Sequence, residues 1–359
     1  MKLFNDAFRG RRVLLTGHTG FKGSWLALWL QELGATVTGV ALPPEFTPNH
    51  WDLLEVNAKD FRLDIRDAGA LAAVVAETQP DMVFHLAAQP LVRRSYRDPL
   101  ETWSTNVMGT ANLLEACRQT KSIRAIVVIT TDKCYENKEW PWGYRENDRL
   151  GGHDPYSASK AGTELVAASY RSAFFNTLGA PLLATARAGN VIGGGDWSED
   201  RLIPDMVRAV GAGQSLEIRS PNATRPWQHV LESLSGYLML GQKLLEERDE
   251  YAQAWNFGPD SESNRTVLEI LGRIKSLWPE MCWHGFDNSK PHEATLLYLD
   301  SAKARCSLKW QPVWRIDQTL SATVDWYRAW LEFGHVVSRK QLAAYVEAAT
   351  QANMAWVRG

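Results

Sequence analysis

Tyr156 and Lys160 stand four residues apart in the segment YSASK, a spacing that places both side chains on one face of a helix. A tyrosine loses its proton at about pH 10 in water, and a neighbouring ammonium group lowers the pKa of the phenol. The pair therefore predicts a general base that works near neutral pH. Thr131, in the upstream segment TTDK, is predicted to hydrogen-bond the substrate hydroxyl from which this base takes a proton.

A glycine-rich turn, TGHTGFKG at residues 16–23, joins an apolar segment to a helical one. Glycines permit a tight turn and close approach of the backbone to a pyrophosphate. The helix that follows adds free N–H groups and the positive end of its dipole. In this strand–turn–helix context the pattern predicts a dinucleotide-binding loop. Its predicted cofactor-binding residues are Gly17, His18, Gly20, Phe21, Lys22 and Gly23.

Other strand ends are predicted to complete the cofactor site. The residues assigned to it are Asp64, Ile65, Leu86, Ala87, Ala88, Tyr156 and Lys160. A site that prefers NAD usually has an acidic residue at the end of the second strand, but Ala41 stands there. The choice between NAD and NADP is therefore open on chemistry alone. His18 and Lys22 occupy positions where small or apolar residues are more usual, so we expect modest cofactor affinity.

Short apolar segments alternate with helical segments through the first half of the chain. Strands are predicted at 12–15, 36–42, around Leu63, and at 82–86, 125–130 and 182–187. Helices are predicted at 22–33, 68–77, 100–119, 156–176, 201–210, 232–247 and 340–357. The alternation predicts the α/β class, with a Rossmann-type doubly wound parallel sheet that binds ligands at the carboxyl ends of its strands.

The pattern changes after residue 188, where glycine and proline become frequent and strands shorten. We therefore predict a dinucleotide-binding domain over 1–188. A smaller mixed α/β substrate lobe is predicted over 189–359, with some exchange of chain between the two.

The 359 residues include 39 basic and 41 acidic side chains, for a formal net charge of −2. This balance argues against a broad nucleic-acid or anionic-membrane surface, because both need a strong positive field. Asp6 and Arg9 interrupt the N-terminal segment where a signal peptide needs an apolar core, and no segment approaches about eighteen uninterrupted apolar residues. The four cysteines lack a CxxC pair, which predicts reduced thiols, no metal site and a cytoplasmic protein.

The order of the motifs resembles the extended short-chain dehydrogenase/reductase superfamily, and within it the sugar-nucleotide 4,6-dehydratases. From about residue 12 to residue 230 the order is TGxxGxxG, DIRD, HLAAQ, SYRDP, NVxGT, TTDK, YSASK, RxGNVIGGGD and RPWxHV. The loop GHTGFKG and the pair Asp132-Lys133 are similar to those of members that act on CDP-glucose. Members that act on dTDP-glucose carry Asp-Glu where this chain has the pair Asp132-Lys133.

The resemblance implies a hydro-lyase with bound NAD. Tyr156 would take the proton of the 4-hydroxyl as carbon 4 is oxidised, and Asp132 would protonate the hydroxyl that leaves carbon 6. The product would be CDP-4-dehydro-6-deoxyglucose, for deoxysugar or O-antigen biosynthesis. A nucleotide-sugar 4-epimerase and a 4,6-dehydratase of dTDP- or GDP-hexose are the alternatives. Asp132 separates dehydratase from epimerase, since an epimerase needs no acid for a leaving hydroxyl.

Lys133 has two possible roles under this resemblance. In relatives the equivalent glutamate is suited to removing the carbon 5 proton, and a lysine can do so only when it is neutral. A charged Lys133 would instead stabilise the enolate. We favour the base over the electrostatic role.

The nucleotide half of such a substrate carries a diphosphate. The guanidinium fork of Arg225 suits phosphate oxygens, and Asn190 resembles the family asparagine that contacts the diphosphate. The remaining predicted substrate-binding residues are Gln89, Arg219 and His292. The resemblance also implies a homodimer that is formed through the helices near 100–119 and 156–176.

Overall fold

The structure is a computed structural model that describes residues 2–218, 220–285 and 296–358. Its strands are β1 (Arg12–Thr16), β2 (Thr36–Ala41), β3 (Lys59–Arg62), β4 (Met82–His85), β5 (Ala125–Ile129), β6 (Leu182–Ala188), β7 (Val191–Ile192), β8 (Leu216–Glu217), β9 (Thr224–Pro226), β10 (Gln228–His229), β11 (Ala254–Phe257), β12 (Asn264–Thr266) and β13 (Trp283–His284).

The α-helices of the described residues are α1 (Phe21–Glu32), α2 (His50–Leu54), α3 (Ala68–Thr78), α4 (Val92–Arg97), α5 (Pro99–Trp103), α6 (Gly109–Arg118), α7 (Pro155–Ala173), α8 (Leu202–Gly211), α9 (Val230–Leu245), α10 (Val267–Leu277), α11 (Ile316–Phe333) and α12 (Ser338–Gln351). Tighter or wider turns occupy Leu3–Asp6, Ser104–Met108, Asp132–Cys134, Asp249–Tyr251, Ser261–Ser263, Ala304–Leu308 and Ala355–Val357. No described helix combines the length and the apolar run that crossing a bilayer requires.

Seven strands form one parallel sheet in the order β11-β6-β5-β4-β1-β2-β3. Every neighbouring pair is parallel, with Val13 of β1 opposite both Val37 of β2 and Met82 of β4. The strand order therefore reverses beside β1, and a crevice opens there at the carboxyl ends of the strands. The predicted doubly wound α/β fold is confirmed.

Both faces of the sheet are covered because its strands are apolar on both sides. Val13 and Leu15 pack into one core with α1 and α9, and Leu14 points into the other core with α3 and α6. Several of the sixteen tryptophans are fully buried, among them Trp25 and Trp255. The helices are thus fixed on the sheet by large apolar contacts, which hold their N-termini at the crevice.

The second half of the chain contributes to the central sheet as well as to a smaller part. β11 pairs with β6, and α9 packs against the face that α1 covers. Two-stranded pairs β7–β10, β9–β12 and β8–β13 lie outside the main sheet. The domain boundary at residue 188 stays a prediction, and β6 ends at that residue.

Most predicted elements are shifted by a few residues at their ends, and three of the differences have a clear structural description. β3 ends one residue before Leu63. The helix predicted over 100–119 is interrupted by a π-helical turn, Ser104–Met108, which turns Asn106 into the protein interior. The predicted C-terminal helix stops at Gln351, because Asn353 takes a left-handed conformation with φ of 56°.

Candidate active site

A cavity of about 1080 Å³ opens at the carboxyl ends of the central strands. It brings together most of the residues that the sequence singles out. The predicted site residues that line it are Gly17, Gly20, Phe21, Lys22, Gly23, Asp64, Ile65, Leu86, Ala87, Ala88, Gln89, Thr131, Asp132, Lys133, Tyr156, Lys160, Asn190 and Arg225. Arg219 and His292 lie outside the described residues.

The loop between β1 and α1 is packed so closely that only glycine fits at two positions. Gly17 has a φ of +76°, and a Cβ there would lie 2.6 Å from the backbone nitrogen of Ala87. A Cβ on Gly23 would lie 2.0 Å from the carbonyl oxygen of Gly17. The N-terminus of α1 therefore faces the cavity across a bare backbone, an arrangement that suits a phosphate group.

The fourth strand leads into a second close approach of backbone to the cavity. The Thr16 hydroxyl accepts hydrogen bonds from the backbone N–H groups of Leu86 and Ala87, each 3.2 Å long. It also contacts Nδ1 of the buried His85 at 2.7 Å. These bonds tie the end of β4 to the end of β1, so the small residues after His85 form a fixed wall.

His18 does not line the cavity, although the sequence assigns it to the cofactor site. Its ring is fully buried against β2, where a Cβ on Gly39 would overlap it. Nε2 of His18 lies 2.9 Å from a carboxylate oxygen of Asp60 on β3. Burial lowers the pKa of His18, and the Asp60 charge opposes that effect. His18 thus packs beneath the loop and acts on the cofactor site only through the backbone.

Lys22 extends along the floor of the cavity. Its ammonium group donates a hydrogen bond to the Tyr237 hydroxyl at 3.2 Å and lies 5.7 Å from the centre of that ring. Burial lowers the pKa of Lys22 to about 7, and the charges of Arg201 and Lys160 act in the same direction while Asp132 opposes them. The loop therefore places the Lys22 amine near Asp132 and Lys160.

The adenosine end of the predicted cofactor site has no carboxylate at the end of β2, where Ala41 is buried. Asp64 follows β3, and its side chain forms an ion pair of 2.6 Å with Arg66. Hydrogen bonds from Arg66 hold the pKa of Asp64 below its usual range. Asp64 can accept a hydrogen bond from a ligand only alongside its contact with Arg66.

Thr131, Asp132 and Tyr156 meet where β5 ends and α7 begins. Asp154 caps α7 by accepting a hydrogen bond of 2.9 Å from the Ser157 backbone, which places Tyr156 in the first helical turn. The Thr131 hydroxyl donates to Asp132 at 3.0 Å. Thr131 is also close enough to Tyr156 to lower the pKa of the phenol. The acid and the phenol therefore lie on either side of one hydroxyl group.

The surroundings of Tyr156 differ from the sequence prediction. Burial raises the pKa of Tyr156 to about 12, while the Thr131 hydroxyl and the charge of Arg201 oppose the rise. We predicted a lowered value through Lys160. Lys160 instead donates a hydrogen bond of 2.9 Å to the carbonyl oxygen of Ile129. Within the protein chain alone, burial outweighs the cations around the phenol. The prediction also counts the positive nicotinamide ring of a bound cofactor, so a lowered pKa of Tyr156 stays a prediction for the enzyme with its cofactor.

Lys133 and the nucleotide-binding candidates lie around Asp132. The Lys133 backbone N–H donates to the Thr131 hydroxyl at 3.3 Å, and its side chain is half-buried in the cavity wall. A Cβ on Gly189 would lie 3.0 Å from a carboxylate oxygen of Asp132 and 2.9 Å from the Pro226 side chain. The segments that carry Asn190 and Arg225 therefore converge on Asp132.

Gln89 reaches the cavity wall, but its amide is occupied within the protein. Its Nε2 donates to the Leu91 carbonyl at 3.1 Å and to the Thr102 hydroxyl at 2.9 Å. Its Oε1 accepts from the Leu91 backbone at 2.7 Å. These bonds favour a role in shaping the loop over a direct contact with substrate.

Two residues near the site were missed by sequence reasoning. Arg201 precedes α8, lines the cavity and pairs with Asp196 at 3.3 Å. Asn106 donates to the Gln89 carbonyl at 3.1 Å and to the Ser159 hydroxyl at 2.9 Å, which ties the π-helical turn to α7. The NVxGT motif marks Asn106, whereas no local pattern distinguishes Arg201. Among the described residues, no group of three or more His, Cys, Asp or Glu side chains is placed to hold a metal ion.

The chain is similar to a known protein family and to known proteins over most of its length. A family model described as GDP-mannose 4,6 dehydratase matches residues 14–323. A CDP-glucose 4,6-dehydratase of Salmonella typhimurium is 48% identical over 353 residues, which cover 96% of this chain and 98% of that protein. A dTDP-glucose 4,6-dehydratase of Xanthomonas campestris is 27% identical over 88% of this chain and 92% of its own length.

Solved structures are similar over most of the chain. The dTDP-glucose 4,6-dehydratase of Streptomyces venezuelae, solved with NAD bound, has a TM-score of 0.76 and 25% identity, with 89% of this chain and 98% of that chain covered. An epimerase of Methanothermobacter thermautotrophicus has a TM-score of 0.78 and 25% identity, with 94% and 96% covered. Together with the family match, these similarities show that the chain belongs to the GDP-mannose 4,6-dehydratase family of the extended short-chain dehydrogenases/reductases.

Proposed function

We propose that the protein is a CDP-glucose 4,6-dehydratase that converts CDP-D-glucose to CDP-4-dehydro-6-deoxy-D-glucose and water. The observation that carries the proposal is the grouping of Tyr156, Thr131 and Asp132 in the wall of one cavity, with Thr131 hydrogen-bonded to Asp132. It sets a base for one hydroxyl beside an acid for another, and an epimerase has no use for the acid. The extent of similarity to the Salmonella CDP-glucose enzyme supports the choice of substrate.

The cavity fits a dinucleotide at the β1–α1 loop. Gly17 and Gly23 leave a cradle that a Cβ would fill, and the N-terminus of α1 faces it. The chemistry that a bound NAD would supply is transfer of a hydride from carbon 4 of the sugar and its return to carbon 6, which would leave the cofactor oxidised at the end of the cycle. The loop, the wall after β4 and the end of β3 are the parts of this chain that would hold it.

Proton transfers are assigned to the residues around β5. Tyr156 removes the proton of the 4-hydroxyl, and Thr131 orients that hydroxyl by hydrogen bonding. Lys160, fixed to the Ile129 carbonyl, supplies positive charge behind the phenol. Asp132 protonates the 6-hydroxyl as it leaves.

Removal of the carbon 5 proton is assigned to Lys133, the residue after the acid, and a proton from Lys133 or solvent returns to carbon 5 when hydride is restored to carbon 6. Its side chain lines the same cavity as Asp132. The alternative is that a charged Lys133 stabilises the enolate formed at carbon 4.

The diphosphate of the substrate is assigned to Asn190 and Arg225. Their segments meet beside Asp132, and Arg225 is 8% exposed, which favours a paired role over that of a solvated surface arginine. Arg201 adds a further cation to the same cavity. Arg219 and His292 stay sequence predictions for this half of the site.

We also propose a cytoplasmic homodimer that supplies deoxysugar precursors, for example for the O-antigen of lipopolysaccharide. Exposed apolar side chains on the two predicted dimer segments, near 100–119 and 156–176, support the dimer. These side chains are Leu100, Trp103, Met108, Leu165 and Phe174. The four free cysteines are consistent with a reducing compartment. Light scattering of the purified protein tests the dimer, and a Leu100→Glu variant should weaken it.

The activity is tested by incubating the protein and NAD with CDP-glucose, dTDP-glucose, GDP-glucose and GDP-mannose in parallel. A dehydratase gives a product lighter by one water, with the absorbance in alkali of a 4-keto sugar. CDP-glucose should be turned over fastest. A product of unchanged mass would indicate an epimerase, and preference for another nucleotide would refute the assignment of the base.

A further inference from the structure

Glu164 lies on α7 four residues beyond Lys160 and eight beyond Tyr156, so the three side chains follow one face of the helix. Its side chain is 3% exposed. A buried carboxylate is costly unless it is paired and hydrogen-bonded. The partners of Glu164 therefore indicate why the residue is there.

The Glu164 carboxylate is bonded to two different strands. It accepts hydrogen bonds from the Thr130 hydroxyl at the end of β5 and from the Thr185 hydroxyl on β6, the latter at 2.8 Å. Arg187, also on β6 and also 3% exposed, donates to it at 2.8 Å. One side chain thus joins the catalytic helix to both strands.

These contacts lie one to three residues from the proposed site residues. Thr130 directly precedes Thr131, and Arg187 precedes Asn190 by three positions. Arg187 is fixed in turn, since it donates to the Tyr135 hydroxyl at 2.7 Å. The phenol-bearing helix and the segment that carries the acid are therefore positioned against the same carboxylate.

Glu164 also acts on the charge of Lys160. Burial lowers the pKa of Lys160 to about 8, and the Glu164 carboxylate opposes that lowering. The other titratable groups that face Lys160 are Cys134 after β5, His85 on β4 and Lys22 on α1. Burial keeps Cys134 a neutral thiol, and it lowers the pKa of His85 to about 3. Glu164 is thus the carboxylate that favours the ammonium form of Lys160.

We infer that Glu164 is a positioning residue for the proposed dehydratase: it holds the segment from Thr130 to Asp132 against the helix that carries Tyr156, and it places a negative charge one helical turn from Lys160. Arg187 is its counter-ion and holds the carboxylate ionised. The inference rests on the proposed function for its kinetic consequence. Its electrostatic consequence is independent of the substrate.

The decisive variant is Glu164→Gln, which keeps the shape and most hydrogen bonds and removes the charge. With Lys160 less favoured as an ammonium, the rate of NAD reduction after mixing with CDP-glucose should begin to fall at a lower pH. We expect the alkaline limb of this pH–rate profile, the part where the rate falls at high pH, to shift to lower pH by about one unit. Thr185→Val is the matched control, because it removes one hydrogen bond to Glu164 and leaves the charge of the carboxylate. The alkaline limb of its pH–rate profile should therefore stay in place.

A second readout needs no substrate. Lysine labelled with ¹⁵N at Nζ is titrated by NMR in the holoenzyme, and the Lys160 signal is identified by its loss in Lys160→Arg. The Lys160 titration should shift to lower pH in Glu164→Gln. If CDP-glucose is not turned over by the unaltered protein, the proposed function fails while this titration still tests Glu164.

Removing one member of a buried ion pair leaves an uncompensated charge and is strongly destabilising. The double variant Glu164→Gln/Arg187→Gln removes both charges and should show the same direction of shift if the single variant does not fold. An alkaline limb and a Lys160 titration that both stay in place, in either variant, would overturn the inference and leave Glu164 a purely structural residue.

Discussion

In the proposed mechanism Tyr156 gives up its proton at a pH far below the point at which burial alone would allow it. Burial raises its pKa to about 12, and the opposing contributions come from the Thr131 hydroxyl and the charge of Arg201. Lys160 stands one turn away and is held by the Ile129 carbonyl. We therefore expect the proposed base to depend on the positive charge around it, including that of an oxidised cofactor when it is bound.

Replacing Tyr156 by phenylalanine keeps the ring and removes the base. We expect Tyr156→Phe to slow the first hydride step by roughly a hundredfold or more, the usual scale for a positioned base. Stopped-flow absorbance of the reduced nicotinamide after mixing with CDP-glucose measures that step. Tyr96→Phe is the control, since Tyr96 lines the same cavity without contacting Thr131 in the proposed mechanism. Reduction at the normal rate in Tyr156→Phe would assign the base to another residue.

Lys133 is tested by the fate of the hydrogen on carbon 5. Lys133→Ala should spare the first oxidation but block exchange of that hydrogen with solvent deuterium, because no group then removes the proton or stabilises the enolate. Lys133→Glu should restore part of the exchange by supplying a carboxylate base. Mass spectrometry of recovered substrate and product gives the exchange rate.

The matched control for this prediction is Lys138→Ala, since Lys138 lies in the same loop but its side chain is exposed and paired with Glu136 at 2.6 Å. It should exchange the carbon 5 hydrogen at the normal rate. Normal exchange in Lys133→Ala itself would exclude both proposed roles and leave Lys133 a binding or structural residue.

At the scale of single elements, the β1–α1 loop and α7 contribute differently to the site. The loop presents bare backbone because Gly17 and Gly23 have no room for a Cβ. Helix α7 presents a stripe of side chains from its first turn onward, held at its start by the Asp154 cap. We therefore expect a bound cofactor to meet mainly main-chain groups at this loop, and the substrate to meet the side chains of α7.

The loop also predicts incomplete retention of the cofactor. Ala41 offers no carboxylate to the ribose, Asp64 is paired with Arg66, and Lys22 adds a cation to the cavity floor. We expect part of the NAD to be lost on purification, so added NAD should raise the activity. Cofactor content by chromatography of denatured protein, set beside activity with and without NAD, checks this. The prediction would be contradicted by a preparation that is already saturated with NAD and gains no activity when NAD is added. A strong preference for NADP would contradict it as well.

Across the whole molecule, distant parts of the chain close around the cavity. Arg94 on α4 pairs with Glu45 after β2 and lies 3.3 Å from Glu199, while Arg93 pairs with Asp200 at 3.2 Å. These ion pairs connect the dinucleotide half with the segment before α8. The cavity is thus shared by both halves of the chain.

A buried carboxylate on α9 joins the C-terminal helices to the body of the protein. Glu232 is fully buried and accepts hydrogen bonds from the backbone of Val313 at 2.9 Å and of Trp314 at 2.7 Å. The Tyr345 hydroxyl on α12 donates to it at 2.7 Å. Burial raises the pKa of Glu232 to about 7, against these hydrogen bonds.

This raised pKa predicts a dependence of stability on pH. Between about pH 4.5 and about pH 7 the folded protein holds a proton on Glu232 that the unfolded chain has lost, so stability falls as the pH rises through that window. Glu232→Gln removes this dependence. The difference in unfolding free energy between the variant and the unaltered protein should therefore change by up to roughly 3 kcal/mol over this pH window. Urea unfolding at several pH values measures the difference. Glu347→Gln, an exposed position on α12, is the control, and equal profiles for Glu232→Gln and the unaltered protein would refute the prediction.

Local spacing along the chain was sufficient to predict the parallel sheet, the dinucleotide loop and the sharing of one helix face by Tyr156 and Lys160. Such features depend on residues within a few positions of each other, where the periods of strand and helix fix the geometry. The motif order carried the assignment to the dehydratases for the same reason, since each motif is a short local pattern at a strand end.

The tertiary structure alone decided which side chains face one another across the site. His18 packs against Gly39 and Asp60, not into the cavity, because Gly39 has no side chain and so leaves room for the ring on β2. Arg201 approaches Tyr156, and Arg187 meets Glu164, from segments that are distant in sequence. Burial of Tyr156 and Lys160, which sets the direction of their pKa shifts, is likewise a sum over the whole fold. No local period encodes the depth of a side chain or the charges brought beside it from elsewhere in the chain.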